Sequence, residues 1–153
     1  MKGLGTALVT PFTADGEIDF QALGILIEHQ ITGGTDYLVI LGTTSEVPTL
    51  THEEQNEIIA FVVKHAAGRI PLVLGIGGNC TAAVVQRIHE LKDILTAHFA
   101  GILSVTPYYN RPQQEGLYQH FCAVAQASPV PVILYNVPKR TGVNMLPETT
   151  PRI

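Results

Sequence analysis

Three short polar segments of the sequence carry the side chains best suited to chemistry. They are residues 42–46 (GTTSE), 106–112 (TPYYNRP) and 135–142 (YNVPKRTG). Each segment follows an apolar run that predicts a short buried strand. In sheets of parallel strands, ligands bind at the carboxyl ends of the strands. We therefore predict that the three segments contribute to one ligand site.

The first segment, residues 42–46, predicts a small-carboxylate site. Thr43 and Thr44 offer two hydroxyls, and consecutive backbone amides in a tight turn donate to an anion without a full opposing charge. The alternative is a turn whose threonines only satisfy nearby backbone groups. The segment alone does not separate these two interpretations.

Phenols at two strand ends predict proton transfer. Tyr108 and Tyr109 follow one strand, and Tyr135 ends the next. A phenol is a weak acid, so it shuttles protons at neutral pH only when hydrogen-bonded partners relay them. Thr43 is a candidate relay. The alternative is that these tyrosines are packed aromatics at ordinary strand ends and helix entries.

Arg140, in a Pro/Gly loop beyond Tyr135, is a candidate carboxylate ligand because its guanidinium matches a carboxylate in bidentate fashion. The alternative is a solvated surface arginine. The six histidines show no paired ligand spacing, so we predict no metal site. Gly75-x-Gly77-Gly78 lacks the third glycine of a dinucleotide motif, and no cofactor is predicted.

These segments must be positioned by alternating strands and helices. Continuous apolar runs predict five parallel strands, and helical spacing predicts four helices between them. Asp19 caps the first predicted helix, Thr51 and Glu54 form a capping box for the second, and Gly68 ends it. The third predicted helix runs unbroken from Thr81 past Leu91. The pattern is α/β, and it fits either a doubly wound sheet or a barrel. The predicted strands are 3–11, 37–41, 70–76, 101–105 and 130–135.

Composition narrows the functional class. The chain has 153 residues, which predicts one domain over 1–153. Only 14% of residues are charged, against about 25% in an average domain. The net charge of −4 does not favour nucleic acid, and no apolar run approaches the length of a membrane span. The two widely separated cysteines, Cys80 and Cys122, are typical of reduced thiols and predict a cytoplasmic protein.

The sequence resembles the dihydrodipicolinate synthase family of class I aldolases. The resemblance rests on residues 42–46, 68–71, 106–121 and 135–142, and it continues in register along the chain. It implies a (β/α)₈ barrel with a small C-terminal helical domain, assembled as a tetramer of tight dimers. It also implies that pyruvate condenses with aspartate semialdehyde, in diaminopimelate and lysine synthesis, through a Schiff base with a lysine on the sixth strand.

The resemblance also implies a role for each candidate residue. Tyr135 would donate and accept the proton at the active-site carbonyl. Thr43 would link it to Tyr109, which in the family reaches across the dimer interface from the neighbouring subunit. Thr44 and the surrounding amides would hold the pyruvate carboxylate, and Arg140 would bind the carboxylate of the semialdehyde.

Two positions depart from the family pattern. Ser45 stands where many members have glycine. Ala83 stands where members inhibited by lysine have an acidic residue, so feedback inhibition by lysine is not expected. Sialic acid and keto-deoxy-sugar lyases share the fold and the 42–46 loop, but they typically lack the Arg140-Thr141-Gly142 sequence, which favours the synthase.

The Schiff-base lysine has no counterpart among residues 1–153. A barrel of this type needs about 250 residues, and the sequence predicts only five of its strands. Two hypotheses follow: a synthase, or part of one, whose lysine lies beyond this chain, or a non-catalytic half-barrel that binds a small carboxylate. We also expect the open strand edges to make the chain associate with copies of itself. The four lysines present are Lys2, Lys64, Lys92 and Lys139.

Overall fold

The computed structural model describes residues 1–153 and contains five strands alternating with helices. Four of the five strands are shorter than the apolar runs that predicted them, and the fourth begins two residues earlier than predicted. The strands lie in a five-stranded sheet in chain order, β1 to β5. Their bounds are β1 Gly5–Ala7, β2 Tyr37–Ile40, β3 Leu72–Gly75, β4 Phe99–Val105 and β5 Val132–Tyr135. The helices are α1 Phe20–Thr32, α2 His52–Ala66, α3 Thr81–Glu90, α4 Lys92–His98, α5 Gln114–Ala127 and α6 Pro138–Thr141.

The chain divides into two compact units, Met1–Gly75 and Ile76–Ile153. In the first unit, β1 pairs with β2 and β2 with β3, all in parallel. Parallel neighbours need a crossover connection, which α1 and α2 supply. Strands β2 and β3 are largely buried, with Leu38, Val73 and Leu74 all but inaccessible, whereas no residue of β1 is buried.

The helix signals in the first unit are confirmed at both N-termini. The Asp19 side chain accepts a 2.8 Å hydrogen bond from the Ala22 N–H at the start of α1. The predicted capping box begins α2, with Thr51 Oγ1 accepting from the Glu54 N–H at 3.2 Å and the Glu54 carboxylate accepting from the Thr51 N–H at 2.7 Å. These bonds satisfy backbone donors that have no partner within the helix.

The second unit contains the parallel pair β4 and β5, whose register aligns Val105 with Tyr135. Helix α5 packs beside it, and its Leu117 and Phe121 form a buried cluster with Met145. Since β4 and β5 are parallel, their carboxyl ends lie at the same edge of the sheet, where the loops 106–113 and 136–149 begin.

The helices differ from the prediction in three respects. The third predicted helix is split into α3 and α4 at Leu91, which has non-helical backbone angles. Helix α2 ends at Ala66, and Ala67 rather than Gly68 is its left-handed C-cap. The Pro/Gly segment after Val137 forms the short helix α6, which makes six helices instead of the four predicted. No helix is long and apolar enough to cross a membrane.

Candidate active site

The loop after β2 is a tight 3₁₀ turn, Thr43–Ser45, between two residues with left-handed backbones. Leu41 has φ +52° and Glu46 has φ +57°. The bonds of the turn use the N–H groups of Ser45 and Glu46. The first N–H groups of such a turn, here those of Thr43 and Thr44, have no partner within it.

Thr43 and Thr44 are exposed, and their hydroxyls make no hydrogen bond with the protein. The interpretation of these threonines as satisfied turn residues is therefore wrong for their side chains. The turn presents two hydroxyls and two amides at a strand end, and this donor-rich arrangement suits an anion.

Ser45 anchors this turn through buried hydrogen bonds. It is 2% exposed, and its Oγ donates a 2.7 Å hydrogen bond to the carbonyl oxygen of Leu8, just past β1. The Thr10 hydroxyl donates in return to the Ser45 carbonyl oxygen at 2.8 Å. This exchange of bonds gives Ser45 a structural role: it ties the turn after β2 to the segment after β1.

Gly75 allows β3 to approach the same turn. A Cβ atom at this position would lie 2.1 Å from the Leu41 carbonyl oxygen and 2.8 Å from the Gly42 nitrogen. Both atoms belong to the backbone and cannot move independently. Any side chain at Gly75 would therefore displace the start of the turn that carries Thr43 and Thr44.

In the second unit, the loop after β4 holds Tyr109 in a conformation uncommon for its residue type. Tyr109 has φ +69°, Arg111 has φ +47°, and the Tyr109 side chain is 88% exposed. Left-handed residues other than glycine persist where the surroundings impose them, and they cluster at functional sites. Asn110 imposes the shape, since its N–H donates to the Tyr108 carbonyl at 2.8 Å and its Nδ2 donates to the Asn79 carbonyl at 2.7 Å.

Tyr135 is the last residue of β5 and is partly buried. Its carbonyl oxygen accepts a 3.0 Å bond from the N–H of Thr106, which fixes the strand end from which the phenol projects. Arg140 lies on α6, five residues on, and is exposed without an ion pair. The structure thus places Tyr109, Tyr135 and Arg140 at or beyond the ends of β4 and β5, and Thr43 and Thr44 at the end of β2 in the first unit.

His120 has a packing role rather than a chemical one. It is 3% exposed, its ring packs edge-on against Phe121, and its Nδ1 lies 2.8 Å from the Thr81 hydroxyl. Burial lowers the pKa of His120, because the charged imidazolium loses its hydration. Cys122 lies on the same helix, and no nucleophile–base pair forms there.

Two amide side chains outside the predicted set of site residues hold the loop after β5. Asn136 follows Tyr135 directly, and Gln114 begins α5; both bond to residues 144–149. The only sequence signal was the position of Asn136 within the 135–142 motif. Gln114 gave none, because its partners lie about 30 residues away in sequence.

Comparison with known proteins shows the family to which the chain belongs. A profile described as the dihydrodipicolinate synthetase family matches residues 1–153. The chain belongs to this family. It supplies five strands of the family's parallel (β/α)₈ barrel, which confirms the barrel over the doubly wound alternative.

Relatives and solved structures agree on the region matched. The 4-hydroxy-tetrahydrodipicolinate synthase of Parabacteroides distasonis is 56% identical over all of this chain and half of its own length. The dihydrodipicolinate synthase structure from Aquifex aeolicus has a TM-score of 0.90 and 47% identity, covering 98% of this chain and 50% of its own. The synthase structure from Methylacidiphilum fumariolicum has a TM-score of 0.93 and 41% identity, and the match covers 99% of this chain and 49% of that structure's chain. The chain therefore spans about half the length of the family members it matches.

Proposed function

We propose that residues 1–153 are the part of a 4-hydroxy-tetrahydrodipicolinate synthase that carries its proton relay and its carboxylate-binding side chains. The reaction is the condensation of pyruvate with aspartate semialdehyde in diaminopimelate and lysine synthesis. The observation that carries this proposal is the match over the whole chain, at 56% identity, to a relative of that name. In this proposal, residues 1–153 are an incomplete barrel domain.

The proposed chemistry divides between proton transfer and carboxylate binding. Tyr135 donates and accepts the proton at the reacting carbonyl, and Thr43 links it to Tyr109. A relay is needed because an isolated phenol exchanges protons poorly at neutral pH. Thr44 and the amides of its turn bind the pyruvate carboxylate, while the Arg140 guanidinium binds the carboxylate of the semialdehyde in bidentate fashion.

The nucleophile of the proposed reaction is a lysine outside residues 1–153. All four lysines of the chain are exposed, and none lies on a strand. Lys139 lies on α6 beside Arg140. A Schiff-base lysine must reach the substrate carbonyl from a fixed position, and a side chain in solvent does not meet that requirement.

The lack of a suitably placed lysine favours a second candidate function for the chain by itself, namely non-catalytic binding of a small carboxylate. The free donors of Thr43 and Thr44 and the unpaired guanidinium of Arg140 support it. Other pyruvate-dependent aldolases of the superfamily remain a third candidate, which the Arg140-Thr141-Gly142 sequence disfavours.

For the whole protein we propose a cytoplasmic homo-oligomer, a tetramer built from dimers. Tyr109 supports this arrangement: its ring is 88% exposed although its backbone is held in a strained conformation. Such a side chain contributes little to its own subunit's core, and it is well placed to reach a neighbouring copy.

Joining residues 1–153 to the remaining half of the Parabacteroides distasonis synthase tests the proposal. We expect the joined protein to condense pyruvate with aspartate semialdehyde and to form a borohydride-trapped pyruvate adduct on a lysine of the added half. Tyr135→Phe should lower kcat by about 10²–10⁴, the usual contribution of a positioned proton donor. Tyr118→Phe, on α5, is the matched control and should retain activity.

The chain of 153 residues alone should form no adduct under the same conditions. An adduct on Lys139, identified by mass spectrometry, would move the nucleophile into this chain and overturn its proposed location. A joined protein that is folded but turns over only sugar-acid substrates would favour the third candidate.

A further inference from the structure

Residues 136–145 form a loop, and the side chain of its first residue, Asn136, bonds to the last two residues of the loop. The Asn136 Oδ1 accepts a 3.1 Å hydrogen bond from the Met145 N–H. Its Nδ2 donates to the Asn144 Oδ1 at 2.8 Å and to the Met145 carbonyl at 3.4 Å. One amide thus joins the residue after Tyr135 to the far end of the segment that contains α6 and Arg140.

Gln114 anchors the outgoing end of the same loop to α5. Its Oε1 accepts from the Leu146 N–H at 3.0 Å and from the Thr149 hydroxyl at 2.6 Å, while its Nε2 donates to the Asn144 carbonyl at 2.9 Å. Thr149 is 3% exposed, so part of this cluster is shielded from water. Each polar atom of the Gln114 amide has a partner, which makes the anchor directional.

Contacts inside the loop complete the arrangement. Thr141, next to Arg140, is 4% exposed, and its hydroxyl bonds to the backbone of Val137 and Val143. Gly142 has φ +72°, and a Cβ there would lie 2.9 Å from the Nε of Arg111, so the Arg111 side chain lies against this glycine. The backbone around Arg140 is therefore fixed on both sides.

Arg140 itself forms no ion pair, so no protein carboxylate sets the direction of its guanidinium. Its placement depends on the backbone of α6, a helix of only four residues that has little stability of its own. We propose that Asn136 and Gln114 are positioning residues that hold α6, and with it Arg140, ready for the substrate carboxylate. This inference rests on the carboxylate-binding role proposed above for Arg140.

The physical benefit is preorganisation. A guanidinium on a mobile loop must be ordered when the ligand binds, and the entropy lost at that moment weakens affinity. A loop that is already closed by side-chain hydrogen bonds has lost this entropy on folding. Removing the two amides should therefore weaken carboxylate binding without removing any group that touches the carboxylate.

We call the hydrogen bonds of Asn136 and Gln114 to residues 144–149 the clamp. Hydrogen exchange of the 153-residue chain tests whether the clamp holds the loop. Asn136→Leu and Gln114→Met keep the side-chain size and remove the hydrogen bonds. We expect the amides of Met145 and Leu146 to exchange at least about tenfold faster, as loss of about 1.4 kcal/mol of local stability requires. Asn136→Asp and Gln114→Glu keep the acceptor oxygens but replace each N–H donor by an oxygen that faces a protein acceptor, so they should restore the protection only in part.

Gln119→Met is the matched control. Gln119 lies on the exposed side of α5 and bonds only to Glu115, at 2.9 Å, so its loss should leave exchange in residues 140–149 unchanged. Unchanged exchange in Asn136→Leu and Gln114→Met would overturn the clamp.

Labelling of Arg140 with phenylglyoxal, read by peptide mass spectrometry, tests the positioning role. Succinate supplies the carboxylate and should slow labelling in the wild-type chain. In Asn136→Leu and Gln114→Met, the succinate concentration for half-protection should rise at least about threefold, while Gln119→Met should leave it unchanged. Equal protection in all variants would overturn the positioning role. If succinate fails to protect even the wild type, Arg140's carboxylate role fails, and the exchange result still decides whether the clamp exists.

Discussion

At the scale of single residues, Ser45 has a structural role that only the folded chain reveals. Glycine at this position would leave the turn after β2 without its 2.7 Å bond to the Leu8 carbonyl. The distance in sequence between Ser45 and Leu8 is 37 residues, so no local pattern reveals the bond. Ser45 thereby supports Thr43 and Thr44 without facing a ligand.

Replacing Ser45 by alanine should destabilise the chain by about 1–3 kcal/mol, because a buried carbonyl loses its hydrogen-bond donor. The free energy of unfolding from urea titration measures the loss. Thr49→Ala is the control: its hydroxyl also donates to a backbone carbonyl, that of Glu46, but at an exposed position. It should cost no more than about 0.5 kcal/mol. Equal losses in both variants would show that burial of the Ser45 bond does not matter.

Residue type and position alone identified Tyr135, Arg140 and the two threonines as candidates, because polar groups at strand ends are informative by themselves. Asn136 and Gln114 were missed for a physical reason. An amide is equally common in solvent and in a closed network, and only its partners distinguish the two. Those partners lie 8 to 35 residues away.

At the scale of elements, hydrophobic periodicity predicted every strand and the longer helices, but not the short helix α6. The ends of elements were predicted less well. The N-caps of α1 and α2 were correct because capping is a short-range interaction. The break at Leu91 was missed because it contains neither glycine nor proline. Helix α5 begins at Gln114, two residues after Pro112, although proline is common in the first turn of a helix.

The C-terminus of α2 offers a stabilising substitution. Ala67 adopts φ +48°, a conformation that costs a residue with a Cβ about 1 kcal/mol and glycine little. Ala67→Gly should therefore raise the free energy of unfolding by about 0.5–1 kcal/mol, measured by thermal or urea denaturation. The control is Ala66→Gly, one residue earlier and within the helix, which should lower stability by a similar amount or more.

At the scale of the whole molecule, strand β5 has an unpaired edge and a groove beside it. The groove has a volume of 360 Å³ and is lined mainly by apolar side chains, including Val132, Leu134 and Ile153. An exposed strand edge beside apolar surface is a template for pairing with another chain. The low charged fraction of 14% does little to oppose such pairing.

We therefore expect the 153-residue chain to self-associate at micromolar concentrations, measured by sedimentation velocity. Ile153→Lys places a charge in the groove and should shift the distribution towards the monomer. Leu146→Lys is the control, since Leu146 is 44% exposed and lies outside the groove lining. A chain that sediments as a monomer at all concentrations would contradict the expectation.

The division at Gly75 has a consequence for how the protein is made. The pairings of β1 with β2 and of β2 with β3 require no residue beyond Gly75. A ribosome adds about 5–20 residues each second, and the N-terminal part of a chain folds first. The first unit, with the turn of Thr43 and Thr44, can therefore begin to fold during translation, before Tyr135 and Arg140 have been added to the chain.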